Sequence, residues 1–239
     1  MVPRAAAAMP VVHSFYQKTA LAHMEPIIEI GRENSYFNHL LAQMRDKQVQ
    51  QDRMRFRRNM ERIGSILGYE MSKHFEYAPR EIQTPLGSTR MDVPRHQPVI
   101  TSILRAGIPF HQGLLDFFDE ADSAFVSAYR HHTEGNRFVV KLEYIAAPDL
   151  HERMLILADP MIATGRSMIT AWEALQERGA PSSLFIAAII ASEEGMEYVR
   201  RHLPQARLFV GAIDAELTAK SYIVPGLGDA GDLAFGLKE

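Results

Sequence analysis

The chain has 239 residues, 23% of them charged, a formal net charge of −3 and no cysteine. That length holds one α/β domain with a sizeable core, and the charge gives no global reason to expect nucleic acid or a membrane as partner. The lack of cysteine excludes disulfides, thiolate metal sites and cysteine nucleophiles and fits a cytoplasmic protein, while the longest apolar run, "LFIAAIIA", is far too short to cross a bilayer.

Residues 1–25, opening "MVPRAAAAMP", have no sustained apolar core and read as a loose tail, not a signal peptide, leaving a single domain over residues 26–239. "NSYFNHLLAQMRDKQVQ" predicts a helix capped by Asn34 or Ser35, with Phe37, Leu40, Leu41 and Met44 on one side. From about Asp52 a longer helix follows, apolar at Phe56, Met60, Ile63, Leu67, Met71 and Phe75. Its arginines, Arg53, Arg55, Arg57, Arg58 and Arg62, read as a solvated face, with a subunit or phosphate contact as the alternative; none is placed in the active site. The apolar side of this helix makes a homo-oligomer the expected state.

From Gln97 onward short apolar runs alternate with helical patterns. "PVITSIL", "SAFVSAY", "RFVVKLEYIA", "RMLILA", "SSLFIAAIIA" and "ARLFVGAI" read as strands; "IPFHQGLLDFF", "SMITAWEALQERGA" and "EEGMEYVRRHL" read as helices, the second closed by Gly179 and Pro181. The expected fold is α/β: a central, mostly parallel sheet flanked by helices, with N-terminal helices and a C-terminal loop or hood. Ligands of such sheets bind beyond the carboxyl ends of the strands, so the loops after "SIL", "LILA" and "AAIIA" converge on one edge.

The junction "DPMIATGRS" follows a buried strand and opens a helix. Amides at the positive end of the helix dipole, the hydroxyls of Thr164 and Ser167 and a permissive turn at Gly165 make a phosphate cradle. Asp159 beside it accepts hydrogen bonds from sugar hydroxyls, so a phosphorylated sugar is the expected ligand. The alternative is that Asp159 and Thr164 only cap the helix. "GLGDAG", Gly226 to Gly231, matches a dinucleotide fingerprint in form, but only eight residues follow it, too few for the helix and distal acid required. There is no Walker lysine pattern, H-E-x-x-H or G-x-S-x-G, and the adjacent His131 and His132 lack further ligands, so no protein-held metal site is expected.

Three segments in order, "ILRAG" (Ile103 to Gly107), "DPMIATG" and "YIVPGLGDAGD" (Tyr222 to Asp232), resemble those of the uracil phosphoribosyltransferases, over most of the chain from about Asn34. The resemblance implies the type I phosphoribosyltransferase fold and transfer of a phosphoribosyl group from 5-phospho-α-D-ribose 1-diphosphate to uracil, giving UMP and pyrophosphate in pyrimidine salvage. It implies that Asp159, Pro160, Met161, Ile162, Ala163, Thr164, Gly165, Arg166 and Ser167 bind the ribose 5-phosphate part, with Arg105 and Arg130 on the diphosphate; a structural ion pair is the alternative for each arginine. It places Ile223, Gly228, Asp229 and Ala230 at the uracil, with Asp229 also near the phosphoribosyl diphosphate. Arg105, Asp159 and Asp229 are thus the expected catalytic residues. A single acid in "DP", where the wider superfamily often has two, implies Mg2+ carried mainly by the diphosphate. Arg166 departs from the glycine or small residue usual in the family loop. RNA-binding regulators of the same fold share "TGR" but lack the "PGLGDAGD" ending, and a silent relative fused to a kinase is disfavoured because the phosphate loop, Arg105 and Asp229 are all present and no kinase P-loop exists.

Overall fold

A short strand that the sequence pattern does not announce, β1 (Ile27–Glu29), is the first described element and pairs in parallel with a strand near the other end of the sequence. The computed structural model describes residues 27–133 and 137–237, and only the backbone of residues 128–133 and 137–142. The N-terminal tail and the side chains of Arg130, His131 and His132 lie outside the described residues.

Ser35 caps the first helix, α1 (Tyr36–Arg45): its hydroxyl accepts from the Phe37 amide and Asn38 Oδ1 accepts from the Ser35 amide. Asp52 caps the long helix α2 (Arg53–Ser72), accepting from the Arg55 amide at 3.0 Å; each such cap contributes about 1 kcal/mol. Two strands absent from the sequence reading come next, β2 (Tyr77–Thr84) and β3 (Gly87–Pro94), an antiparallel hairpin exposed along nearly its whole length. Local backbone pairing makes it a strand pair although it buries almost nothing.

The core then assembles from β4 (Val99–Leu104), α3 (Ile108–Leu115), β5 (Asp122–Thr133), β6 (Arg137–Ala146), β7 (Met154–Ala158), β8 (Met161–Ile162), α4 (Arg166–Leu175), β9 (Ser183–Ser192), α5 (Glu193–His202) and β10 (Arg207–Asp214). The chain ends with β11 (Glu216–Leu217), β12 (Ile223–Val224) and α6 (Ala230–Phe235). The main sheet runs β1-β10-β9-β7-β4-β5-β6, with β8 also on β9; every pairing is parallel except β5 with β6, which are antiparallel. The expected parallel sheet flanked by helices is therefore present.

Alternate residues of the buried strands feed two cores. Ile100, Ile156 and Phe209 pack with α1, α2 and α3 on one face; Leu155, Leu157 and Leu208 pack with α4 and α5 on the other. Complete burial of a Leu or Ile contributes about 2 kcal/mol relative to exposure. The apolar side of α2, which had suggested a homo-oligomer, is spent here: Phe56, Met60, Ile63, Leu67 and Met71 are all 0–1% exposed. No helix among the described residues is long and apolar enough to cross a membrane.

Candidate active site

β4 and β7 lie side by side with Ser102 opposite Ala158, so the loops that leave their carboxyl ends begin next to each other. In the second of these, Asp159 Oδ1 accepts from the Met161 amide at 3.2 Å, and β8 returns the chain onto β9 beside Ile190 and Ala191. Gly165, at φ +73°, is the N-cap of α4, and no side chain caps the helix. Neither Asp159 nor Thr164 performs the capping role that competed with the phosphate-cradle reading.

The 159–167 loop is buttressed by residues that sequence reasoning missed. Ser192, at the end of β9, donates through Oγ to the Ala163 carbonyl and accepts from the Gly195 amide at 2.9 Å. A Cβ on Gly195 would stand 2.2 Å from the Ala163 oxygen, and one on Gly165 would stand 2.9 Å from the Gly195 oxygen. The loop and the start of α5 are in backbone contact, which only glycine permits. The signal was the glycine in the first turn of an otherwise ordinary helix. Arg166 is exposed, its guanidinium 5.9 Å from the centre of the Tyr198 ring.

Arg105, on the loop after β4, is engaged. Its Nη2 donates to Asp232 Oδ1 and to the Gly236 carbonyl, both at 2.7 Å, whereas Nε has no hydrogen-bond partner among the described residues. The ion-pair alternative for this residue is thus present in the structure, and its partner belongs to the C-terminal motif. Asp229 caps α6 by accepting from the Asp232 amide at 2.9 Å. Ile223 and Ala230 are buried, while Gly228 and Asp229 are exposed at the rim. Arg130 lies on β5, its side chain outside the described residues.

The arginine-rich helix also reaches this loop. Arg55, Arg58 and Arg62 are exposed, as a solvated face requires, but Arg57 Nη1 donates to the Ala234 carbonyl at 2.7 Å and Arg53 lies against Gly236. The solvated-face reading therefore fails for Arg57, because α6 folds back over the first turns of α2. From α1, Arg45 pairs with Asp214 and reaches Gly226, and Gln50 Nε2 donates to the Leu227 carbonyl at 3.2 Å. No sequence pattern links these positions.

A concavity of about 640 Å3 lies elsewhere, at the amino ends of β7, β9 and β10, lined by His74, Trp172 and Arg207 among others. Size alone does not locate the site; strand polarity does.

The sequence profile of uracil phosphoribosyltransferase matches residues 32–237. The chain belongs to the uracil phosphoribosyltransferase family. It is 47% identical over 213 residues to a uracil phosphoribosyltransferase of Porphyromonas gingivalis, covering 89% of this chain and 99% of that one. It is 37% identical over 207 residues to one of Thermococcus gammatolerans, covering 85% and 91%. Among solved structures it is similar to the AQ2163 protein from Aquifex aeolicus, with a TM-score of 0.78 and 27% identity over 89% of this chain and 99% of that one. The family match spans every residue placed in the site above, from Arg45 to Gly236.

Proposed function

We propose that this uracil phosphoribosyltransferase family member joins uracil to 5-phospho-α-D-ribose 1-diphosphate, giving UMP and pyrophosphate in pyrimidine salvage. The observation that carries the reading is the Arg105 contact to Asp232 and Gly236, which puts the segment expected to hold diphosphate against the segment expected to hold the base. Two separate sites, one for each substrate, have no use for that contact.

In this reading residues 159–167 hold the ribose 5-phosphate. The amides at the uncapped start of α4 face the phosphate and the Asp159 carboxylate takes ribose hydroxyls. Arg105, with Nε unpartnered, and Arg130 take diphosphate oxygens. The C1′–oxygen bond breaks, uracil N1 bonds to C1′ and loses its proton, and pyrophosphate leaves. The ribosyl centre gains oxocarbenium character, so positioning and charge stabilisation supply the catalysis and no protein nucleophile is needed. Ile223, Gly228, Asp229 and Ala230 form the uracil pocket, chiefly through backbone groups, with Asp229 at the border of the two substrates.

The acids present suit a metal carried by substrate. Asp159 is followed by Pro160 and not by a second acid, and Asp232 is paired with Arg105. Mg2+ bound to the diphosphate would neutralise charge on the leaving group. Self-association is part of the proposal: one side of the exposed β2–β3 hairpin carries Ala78, Ile82, Met91 and Val93, with Arg80 and Thr89 among them, and an isolated hairpin is marginal in water. Light scattering of a hairpin-deleted variant checks it.

The deciding assay is uracil-dependent pyrophosphate release by the purified protein. Uracil presents an N3–H donor beside a C4 oxygen, and cytosine reverses both, leaving fixed peptide groups unpaired. Cytosine and orotate should be used at least ~100-fold less efficiently. Comparable turnover of orotate would overturn the specificity, and RNA binding without transferase activity would favour the regulator reading.

A further inference from the structure

We infer that Arg45 and Asp214 are positioning residues for base recognition, their ion pair holding the Gly226 peptide and, through it, the loop that reads uracil. The inference rests on the uracil reading above and extends it to two residues outside the loop.

Arg45 is the last residue of α1 and Asp214 the last of β10, so each comes from a rigid element. Their contact is a two-pronged fork, Nη1 to Oδ2 and Nη2 to Oδ1, both at 2.7 Å. Arg45 Nη1 also donates to the Gly226 carbonyl at 3.0 Å, and Asp214 Oδ2 accepts from the Gly226 amide at 3.0 Å. One ion pair therefore takes both polar groups of one residue. Charge-assisted bonds of this kind are the stronger ones and fix direction as well as distance.

Gly226 is the pivot of the loop. At φ +58° it turns the chain so tightly that a Cβ there would lie 2.1 Å from the Ile223 oxygen. The orientation of Gly226 thus sets that of Ile223, 4% exposed on one side, and of Leu227 and Gly228 on the other. A second tie, from Gln50 to the Leu227 carbonyl, secures the far side. A pocket that distinguishes bases with peptide groups has no side-chain rotamers with which to adapt, so its discrimination depends on how firmly the backbone is held. Asp214 is only 8% exposed and lies behind the loop, where it supports the peptide from the side away from solvent.

The test uses the full-length protein with Asp214→Asn, which keeps an acceptor but loses the charge, and Arg45→Lys, which keeps the charge but loses the fork. Both should raise the KM for uracil about tenfold or more while the KM for phosphoribosyl diphosphate stays within about twofold, and both should narrow the preference for uracil over cytosine. In parallel, amide hydrogen exchange in residues 223–230 should speed up about tenfold in each variant, with exchange in residues 159–167 unchanged. Equal rises in both KM values, or a lower melting temperature with uracil KM and loop exchange unchanged, would overturn the proposal. If the wild-type protein fails to release pyrophosphate with uracil, the substrate reading falls, and the exchange measurement still decides whether the ion pair holds the loop.

Discussion

Arg105 Nη2 lies 2.7 Å from Asp232 Oδ1, a contact between residues 127 positions apart that joins the loop after β4 to the C-terminal helix. The two side chains are 30% and 29% exposed, and such a pair contributes no more than about 1 kcal/mol by itself. If pairing were all that Arg105 does, removing either partner would have the same small effect. We expect Arg105→Ala to lower turnover about 100-fold, the scale of losing one preorganised contact to developing charge, and Asp232→Asn to lower it about tenfold or less. Steady-state kinetics of both variants check this, and equal effects would make Arg105 purely structural.

Gly195 is a test of the buttress beneath the 159–167 loop, proposed to hold the phosphate. An added methyl would stand 2.2 Å from the Ala163 oxygen, too close for either backbone to remain in place. Gly195→Ala should cost about 1–3 kcal/mol of stability and raise the KM for phosphoribosyl diphosphate more than that for uracil. Thermal melts with two-substrate kinetics settle it: a variant with normal stability and normal KM values would show that the two segments are not in contact.

Arg166 stands where the resemblance leads one to expect glycine or a small residue. Its guanidinium sits 5.9 Å from the Tyr198 ring, near the outer limit of a cation–π contact, so it is not held firmly there. The peptide N–H survives any side chain but proline, and the charge is exposed. Arg166→Gly should therefore weaken use of phosphoribosyl diphosphate by no more than about tenfold and leave the uracil KM nearly unchanged. Complete loss of activity would place the guanidinium in the catalytic apparatus; a gain would show that it hinders the cradle.

His111 sets a pH dependence of stability away from the substrates. Its ring nitrogens lie 3.0 Å from the Ser102 and Ser123 hydroxyls inside the core, and burial pushes its pKa down to about 4. An unfolded histidine titrates near 6.5, so between pH 6.5 and 4 the unfolded chain binds the proton that the folded chain refuses. Stability is full above pH 6.5 and falls as the pH drops toward 4, by up to about 3 kcal/mol. Urea unfolding at pH 7 and pH 4.5 should show a larger loss for the wild type than for His111→Gln; equal losses would assign the effect to other groups.

The sequence by itself determined the parallel sheet, the helices that cover it and the strand–loop–helix junction at residues 159–167, because these are written in local terms. Buried strands appear as apolar runs, α2 as a repeat every three or four residues, and the cradle as a glycine and hydroxyls between a strand and a helix. It also marked the C-terminal loop by its run of glycines, of which Gly226 and Gly228 take positive φ. Only the tertiary structure decided the partners of these segments. Arg105 with Asp232, Arg57 with Ala234 and Arg45 with Asp214 are contacts between residues far apart in the chain, and an arginine bound to a carbonyl has the same local pattern as one facing water. The β2–β3 hairpin escaped notice for a related reason: backbone pairing creates it while its side chains stay exposed, so it leaves no buried stripe to read. The apolar side of α2 was legible as covered but not by what, since a hydrophobic stripe records that something covers it but not whether the cover is another subunit or, as here, the chain's own sheet and helices.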